Sequence, residues 1–182
     1  MKVCARRFNT YLALAMALAL FCGCQTEKQK EKKKEKQEVS ALRVHLQTSP
    51  GPEGSTQTVS VLRTDPVSVT IGHDPILTEA NVIAAKVIDT PGGFAVEIKF
   101  DESATLMLEQ YSAANPGRHF VIFGQWGEKL EDGRWLAAPL ITHRIASGVL
   151  SFTPDTTRAQ ADRFVLGLNN VAKQTQGGIF NK

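Results

Sequence analysis

Twelve consecutive residues, Glu27 to Glu38, read EKQKEKKKEKQE and contain no apolar side chain. Such a stretch cannot bury enough surface to offset the entropy of ordering it, so it predicts a solvated tether. Two other readings fit the same residues. Lys exceeds Glu by two in the segment up to Ser40, which would draw it to anionic headgroups. Glu27–Lys30 and Glu31–Lys34 stand at helical pairing distance. On any of the three, the folded body has to come from the residues C-terminal to this stretch.

The residues N-terminal to the charged stretch are ordered as an export signal. Lys2, Arg6 and Arg7 lead into an apolar run from Tyr11 to Phe21, closed by Cys22-Gly23-Cys24. The run is shorter than the roughly 20 residues a bilayer-spanning helix needs. Phe21-Cys22-Gly23-Cys24 resembles the bacterial lipobox, with Phe21 in place of the usual Leu. That resemblance implies cleavage after Gly23 and lipid attachment at Cys24. An ordinary cleaved signal that happens to end in Cys is the alternative. Cys4, Cys22 and Cys24 are the only cysteines, so a body beginning after them contains neither disulfide nor thiol chemistry. Two or three acyl chains would anchor the protein stably in a membrane. Gln25, where Asp would resemble an inner-membrane retention signal, favours the outer membrane over the inner one, with the domain facing the periplasm.

The chain of 182 residues carries a formal net charge of +3, and the signal supplies all of it. From Ala41 on there are 12 basic and 14 acidic residues. A near-neutral body lacks the basic field that nucleic acid requires. These divisions set the expected organisation: signal 1–23, anchored tether 24–40, domain 41–175 and flexible tail 176–182.

Within the domain the hydrophobic periods are legible. Leu42, Val44 and Leu46 alternate with polar residues, as do Val59 and Val61, then Val67, Val69 and Ile71, then Phe94 to Phe100. Each reads as a strand with one buried face. Thr78 is expected to cap a short helix through Asn81 and Ala85. Ser103 is expected to cap a longer one with Ala104, Met107, Leu108, Tyr111 and Ala114 on one face, stopped by Asn115-Pro116-Gly117. His119 to Phe123 reads as a central strand covered on both sides. Glu131-Asp132-Gly133 reads as a turn into a strand from Trp135 to Ile141. Thr153-Pro154-Asp155 is expected to open the last helix, with Ala161, Phe164, Val165, Leu168 and Val171 inward and Gly177-Gly178 beyond its end. Together these predict an α+β fold: a mostly antiparallel sheet with helices packed on one face.

From Ala41 to Asn170 the ordered set of motifs resembles the periplasmic domain of the SecD family of protein-export accessory subunits. The matching positions are Leu77-Thr78, Asn115 and Gly117, Asp132-Gly133, Ala138-Pro139, Ile145 and Gly148, and Ala161. The resemblance implies a SecD-like fold, contact with translocated polypeptide or translocon components, and a role in export or envelope assembly. SecD also has transmembrane helices that couple proton flow to movement of this domain, and no segment after residue 24 corresponds to them. The lead-in strand and the Trp126-Gly127-Glu128-Lys129 segment are further departures.

Catalytic signatures are missing: there is no G-x-S-x-G, P-loop, G-x-G-x-x-G or H-E-x-x-H. His45, His73, His119 and His143 never pair at metal-ligand spacing, and no cofactor motif occurs. His73-Asp74 fits a solvated turn before Pro75. Asp101-Glu102 fits the positive end of the following helix dipole. Trp126 and Trp135, flanking the expected hairpin, are the candidate partner-binding residues, since Trp is enriched where a surface both packs and binds. The alternative places at least one of them in the core. Arg134 and Arg144 are candidates for the same surface. The expected function is that of a non-enzymatic, lipid-anchored binder of polypeptide. A fixed structural adaptor and a hydrolase with an unrecognised site stand as alternatives.

Overall fold

The computed structural model describes residues 38–179, with side chains described as far as 175. The signal, Cys24 and all of the charged stretch but Glu38 lie outside the described residues. The first strand, β1 (Val39–Leu46), begins two residues before the expected domain start at Ala41. Glu38 ahead of it is already buried. Its carboxylate accepts from Arg163 Nε at 3.1 Å, and its carbonyl accepts from Asn170 Nδ2 at 3.0 Å. The last acid of the charged stretch is thus part of the folded body.

β1 pairs antiparallel along its whole length with β7 (Phe120–Gly127). β7 pairs in turn with β8 (Asp132–Ala137), and the two-residue β4 (Leu77–Thr78) lies on the other side of β1. The order in this sheet is β4-β1-β7-β8. A second, three-stranded sheet has the order β5-β6-β9, built from Val82–Thr90, Gly93–Phe100 and Val149–Phe152. A hairpin of β2 (Thr56–Val61) and β3 (Val67–Gly72) stands by itself. All the strand pairings are antiparallel. Two α-helices, α1 (Glu102–Ala114) and α2 (Arg158–Ile179), complete the described residues. The fold is α+β, as the sequence predicts.

Helix α2 packs against β1 and β7 of the first sheet and β5 of the second. Ala161, Phe164, Val165 and Leu168 form its buried stripe as expected, continued by Ala172 rather than Val171. Two glycines let it lie close. A Cβ on Gly124 of β7 would stand 2.9 Å from the Phe164 ring, and one on Gly167 would stand 2.6 Å from the Val39 carbonyl carbon. The main core collects Leu42, Val44, Val96, Ile98, Leu108, Phe120, Ile122 and the inner face of α2. A smaller cluster of Val61, Val69, Ile71 and Val121 joins the hairpin to the opposite face of the four-stranded sheet. So β7 is covered on both sides, as its unbroken apolar run predicts.

Several local expectations are corrected. The helix expected from Thr78 through Ala85 is a single 3-10 turn, Glu79–Asn81, and Val82 opens the nine-residue β5. Ala84, Ala85 and Lys86 favour helix in isolation, but pairing with β6 overrides them. Asp101, not Ser103, caps α1: its Oδ1 accepts from Ala104 N at 2.7 Å. Helix α2 begins at Arg158, with Thr157 Oγ1 accepting from Gln160 N, because Asp155 is engaged elsewhere. It continues through Gly177-Gly178, where a frayed tail is expected.

One contact on the edge of the second sheet resembles strand pairing. The Asn169 side chain of α2 accepts from Ala85 N and donates to Ala85 O, each at 2.9 Å.

Candidate functional site

The two tryptophans fall on opposite faces of the four-stranded sheet. On β7, Phe120, Ile122, Gly124 and Trp126 lie on the side of the main core and α2, while Val121 and Phe123 lie on the other side, against the small cluster and Trp135. Trp126 is 0% exposed and meets the Phe164 ring edge-on at 6.0 Å between centroids. The Arg134 guanidinium lies over it, 5.4 Å from the ring centroid. Neither Trp126 Nε1 nor Arg134 Nη1 has a hydrogen-bond partner among the described residues, and the cation–π contact is the polar interaction between the two side chains. The expectation that Trp126 belongs to a binding surface is therefore corrected: it is a core residue. Arg144 does not join Arg134 either, because it pairs with Glu109 of α1.

Trp135 lies on the other face, half-buried, against Phe123 at 5.1 Å and His45 at 5.6 Å. It packs against the small cluster beneath the hairpin. His45 is buried and hydrogen-bonds through Nδ1 to the Gly72 carbonyl at 2.9 Å. Burial pushes its pKa below the ordinary 6.5; the Gly72 carbonyl opposes this, and the nearby Arg43 and His73 charges reinforce it.

Between the hairpin and the end of β8 runs a groove of about 530 Å³. Val61, Leu62, Val67 and Val69 form one wall. Ala137, Ala138, Pro139 and Phe152 form the other, and Gln47 and His119 contribute polar groups. Gln47 Oε1 accepts from the His119 backbone at 3.0 Å and meets His119 Nδ1 at 2.8 Å. The volume lies in the range of ligand pockets and the lining is mostly apolar. Leu62 and Val67 are 43% and 49% exposed at its rim, and Leu62 has a left-handed backbone (φ 71°). A non-glycine residue adopts that conformation in only a few per cent of cases.

The next residue, Arg63, ties the tip of the hairpin to the body. Its backbone N–H donates to Asp155 Oδ2 at 2.8 Å, and its Nε and Nη2 donate to the same carboxylate at 3.2 to 3.3 Å. The Arg63 hydrogen bonds hold the Asp155 carboxyl below the usual carboxylate range. Asp155 also donates its own N–H to Leu136 O of β8 at 2.7 Å. No strand pairs with the outer edge of β8 among the described residues. The groove thus adjoins an unpaired strand edge, the arrangement that accepts an added strand.

Sequence reasoning missed this groove. Its signal was the flanking of Arg63-Thr64-Asp65-Pro66 by Leu62 and Val67, two apolar residues at a turn where polar ones are usual. His73 and Asp74 touch at 3.4 Å in an exposed turn, and His143 is exposed beside Thr142. No group of three His, Cys, Asp or Glu side chains stands at metal-binding distance among the described residues. None of the described helices is long and apolar enough to cross a membrane.

No protein-family model and no curated protein matches the chain. Solved structures do. One is of SecDF, a membrane component that enhances protein export; it is 19% identical with a TM-score of 0.53, covering 81% of this chain and 70% of that one. Another, SecDF in a super-membrane-facing form, is 19% identical with a TM-score of 0.54, covering 81% of this chain but 21% of that one. The chain has the fold found in these SecDF structures and spans about a fifth of the second.

Proposed function

We propose that this chain is a lipid-anchored envelope protein whose SecD-like domain holds polypeptide as a non-enzymatic accessory in protein export or envelope assembly. The observation that carries the reading is the apolar groove beside the unpaired edge of β8. Main-chain bonds along such an edge give affinity without demanding a sequence, and an apolar cleft beside it rewards any client with exposed hydrophobic residues. The likeness to SecDF, a membrane component that enhances protein export, points the same way. Contact falls on Leu62 and Val67 at the rim. Trp135 serves as the surface on which the hairpin rests.

Photo-crosslinking probes at Leu62 and Val67 in intact cells, read by mass spectrometry, test this. Many different exported chains or translocon subunits are expected. One dominant envelope protein would replace the reading with that of a fixed adaptor, and the absence of adducts would remove the groove as a binding surface. Anchoring is tested separately. Cys24→Ser is expected to release the protein from membranes or block its processing; a variant that stays membrane-bound at normal size would refute lipid attachment there.

A further inference from the structure

The hairpin of β2 and β3 is attached to the body at its base, along an apolar cluster and at its tip. At its base three contacts lie together: Thr48 N donates to Thr70 O at 2.9 Å, Gln47 bridges to Ile71, and His45 Nδ1 bonds Gly72 O. Between base and tip it rests on its own small apolar cluster, separate from the main core. At the tip the polar attachment is the set of bonds from Arg63 to Asp155. Base contacts that cluster in sequence make a hinge, and a single charged contact at the free end makes a latch.

Asp155 holds more than the hairpin. Its carboxylate takes Arg63 while its N–H occupies Leu136 O on the edge strand β8. One residue therefore closes the flap and covers part of the strand edge. An extended chain that pairs with β8 as far as Leu136 takes that carbonyl and displaces the Asp155 backbone.

We propose that Asp155 is a two-sided latch: a polypeptide strand that pairs with β8 at Leu136 pulls Asp155 away, frees Arg63, and lets the β2–β3 hairpin swing open to widen the groove. Entry at the strand edge and opening of the apolar cleft are then one event. A chain with main-chain atoms to offer unlatches the flap, whereas a small apolar molecule does not. The proposal rests on the polypeptide reading for its ligand, but the latch itself is measurable with no ligand present.

Trp135 is the reporter, because it lies against the cluster that the hairpin covers. Trp126 is replaced in the full-length chain by Phe, leaving Trp135 as the sole tryptophan. Acrylamide quenching is then compared with and without Asp155→Ala, and with Arg63→Ala. Both variants are expected to raise the population with Trp135 accessible by roughly fivefold, the upper effect of removing an exposed ion pair. Hydrogen exchange at the Asp155 amide is expected to rise in parallel for Arg63→Ala, while amides of β1 and β7 keep their protection. Unchanged quenching in both variants would overturn the latch. So would a rise in exchange shared by β1 and β7, which would mean general destabilisation. If the latch behaves as expected but probes at Leu62 capture no polypeptide, the polypeptide reading fails while the latch stands.

Discussion

At the scale of single residues, the two tryptophans show how far one β-register decides a role. Trp126 and Trp135 are nine positions apart and flank the same turn, yet the pleat sends one into the main core and the other beneath the hairpin. Trp126→Ala is expected to cost about 3–5 kcal/mol, read as a lowered urea midpoint. Loss of binding without loss of stability would contradict its assignment to the core. His45 carries a pH dependence of definite sign. Above its ordinary pKa of 6.5 it is neutral in both the folded and unfolded chains and costs nothing. As the pH falls, the unfolded chain takes up the proton first, so stability is lost down to the depressed native value. Urea melts at decreasing pH should show this decline, and His45→Gln should flatten it. An unchanged slope in that variant would assign the decline to other groups.

At the scale of elements, the seating of α2 rests on absent side chains. Gly167→Ala would ordinarily strengthen a helix by about 1 kcal/mol. Here the new methyl would press on Ser40 Oγ and stand 2.6 Å from the Val39 backbone, which cannot move aside as a side chain can. The net effect is expected to be a loss of about 1–3 kcal/mol, with thermal unfolding as the check; a gain would show that the helix can lift off β1 without penalty. The same elements mark what was legible in advance. The alternation in β1, β2, β3 and β6 and the apolar run of β7 named those strands correctly, because a period of two has one meaning when a face is buried. Ala84, Ala85 and Lys86 misled, since their strand conformation comes from pairing with β6 and not from their own preference. Thr153-Pro154-Asp155 misled for a related reason. It has the composition of a helix start, but the carboxylate is taken by Arg63, 92 residues away in sequence. The groove was illegible because its two walls come from separate segments, around Val61–Val69 and Ala137–Phe152. The apolar pair Leu62 and Val67 marks one rim, but no local pattern encodes its meeting with the other wall.

At the scale of the whole molecule, the charged stretch and the domain share a boundary residue. Arg163 of α2 reaches Glu38 at 3.0 Å and Asp132 at 3.2 Å, tying the first residue before β1 to the start of β8. A chain begun at Glu38 is expected to keep this clamp. A chain begun at Ala41 loses it along with two paired positions of β1, and should be less stable by at least about 2 kcal/mol. Equal unfolding midpoints for the two would show that the clamp is ornamental. The chain enters the domain beside Gly127 and the groove lies past the opposite end of β1, beside Gln47. Eight strand residues, about 27 Å, separate the two.

Asn169 sets a limit on what the molecule can become. A strand edge with unpaired main-chain groups is where a further strand, from another chain or another copy, adds. In the three-stranded sheet the Asn169 amide already occupies the Ala85 position of β5, acting as a strand one residue long. In the four-stranded sheet the edge opposite β8 is β4, only two residues in length. Each of these two sheets is therefore partly occupied along one edge. On the proposed reading a guest strand joins the β8 edge, because at Ala85 the β5 edge is already taken.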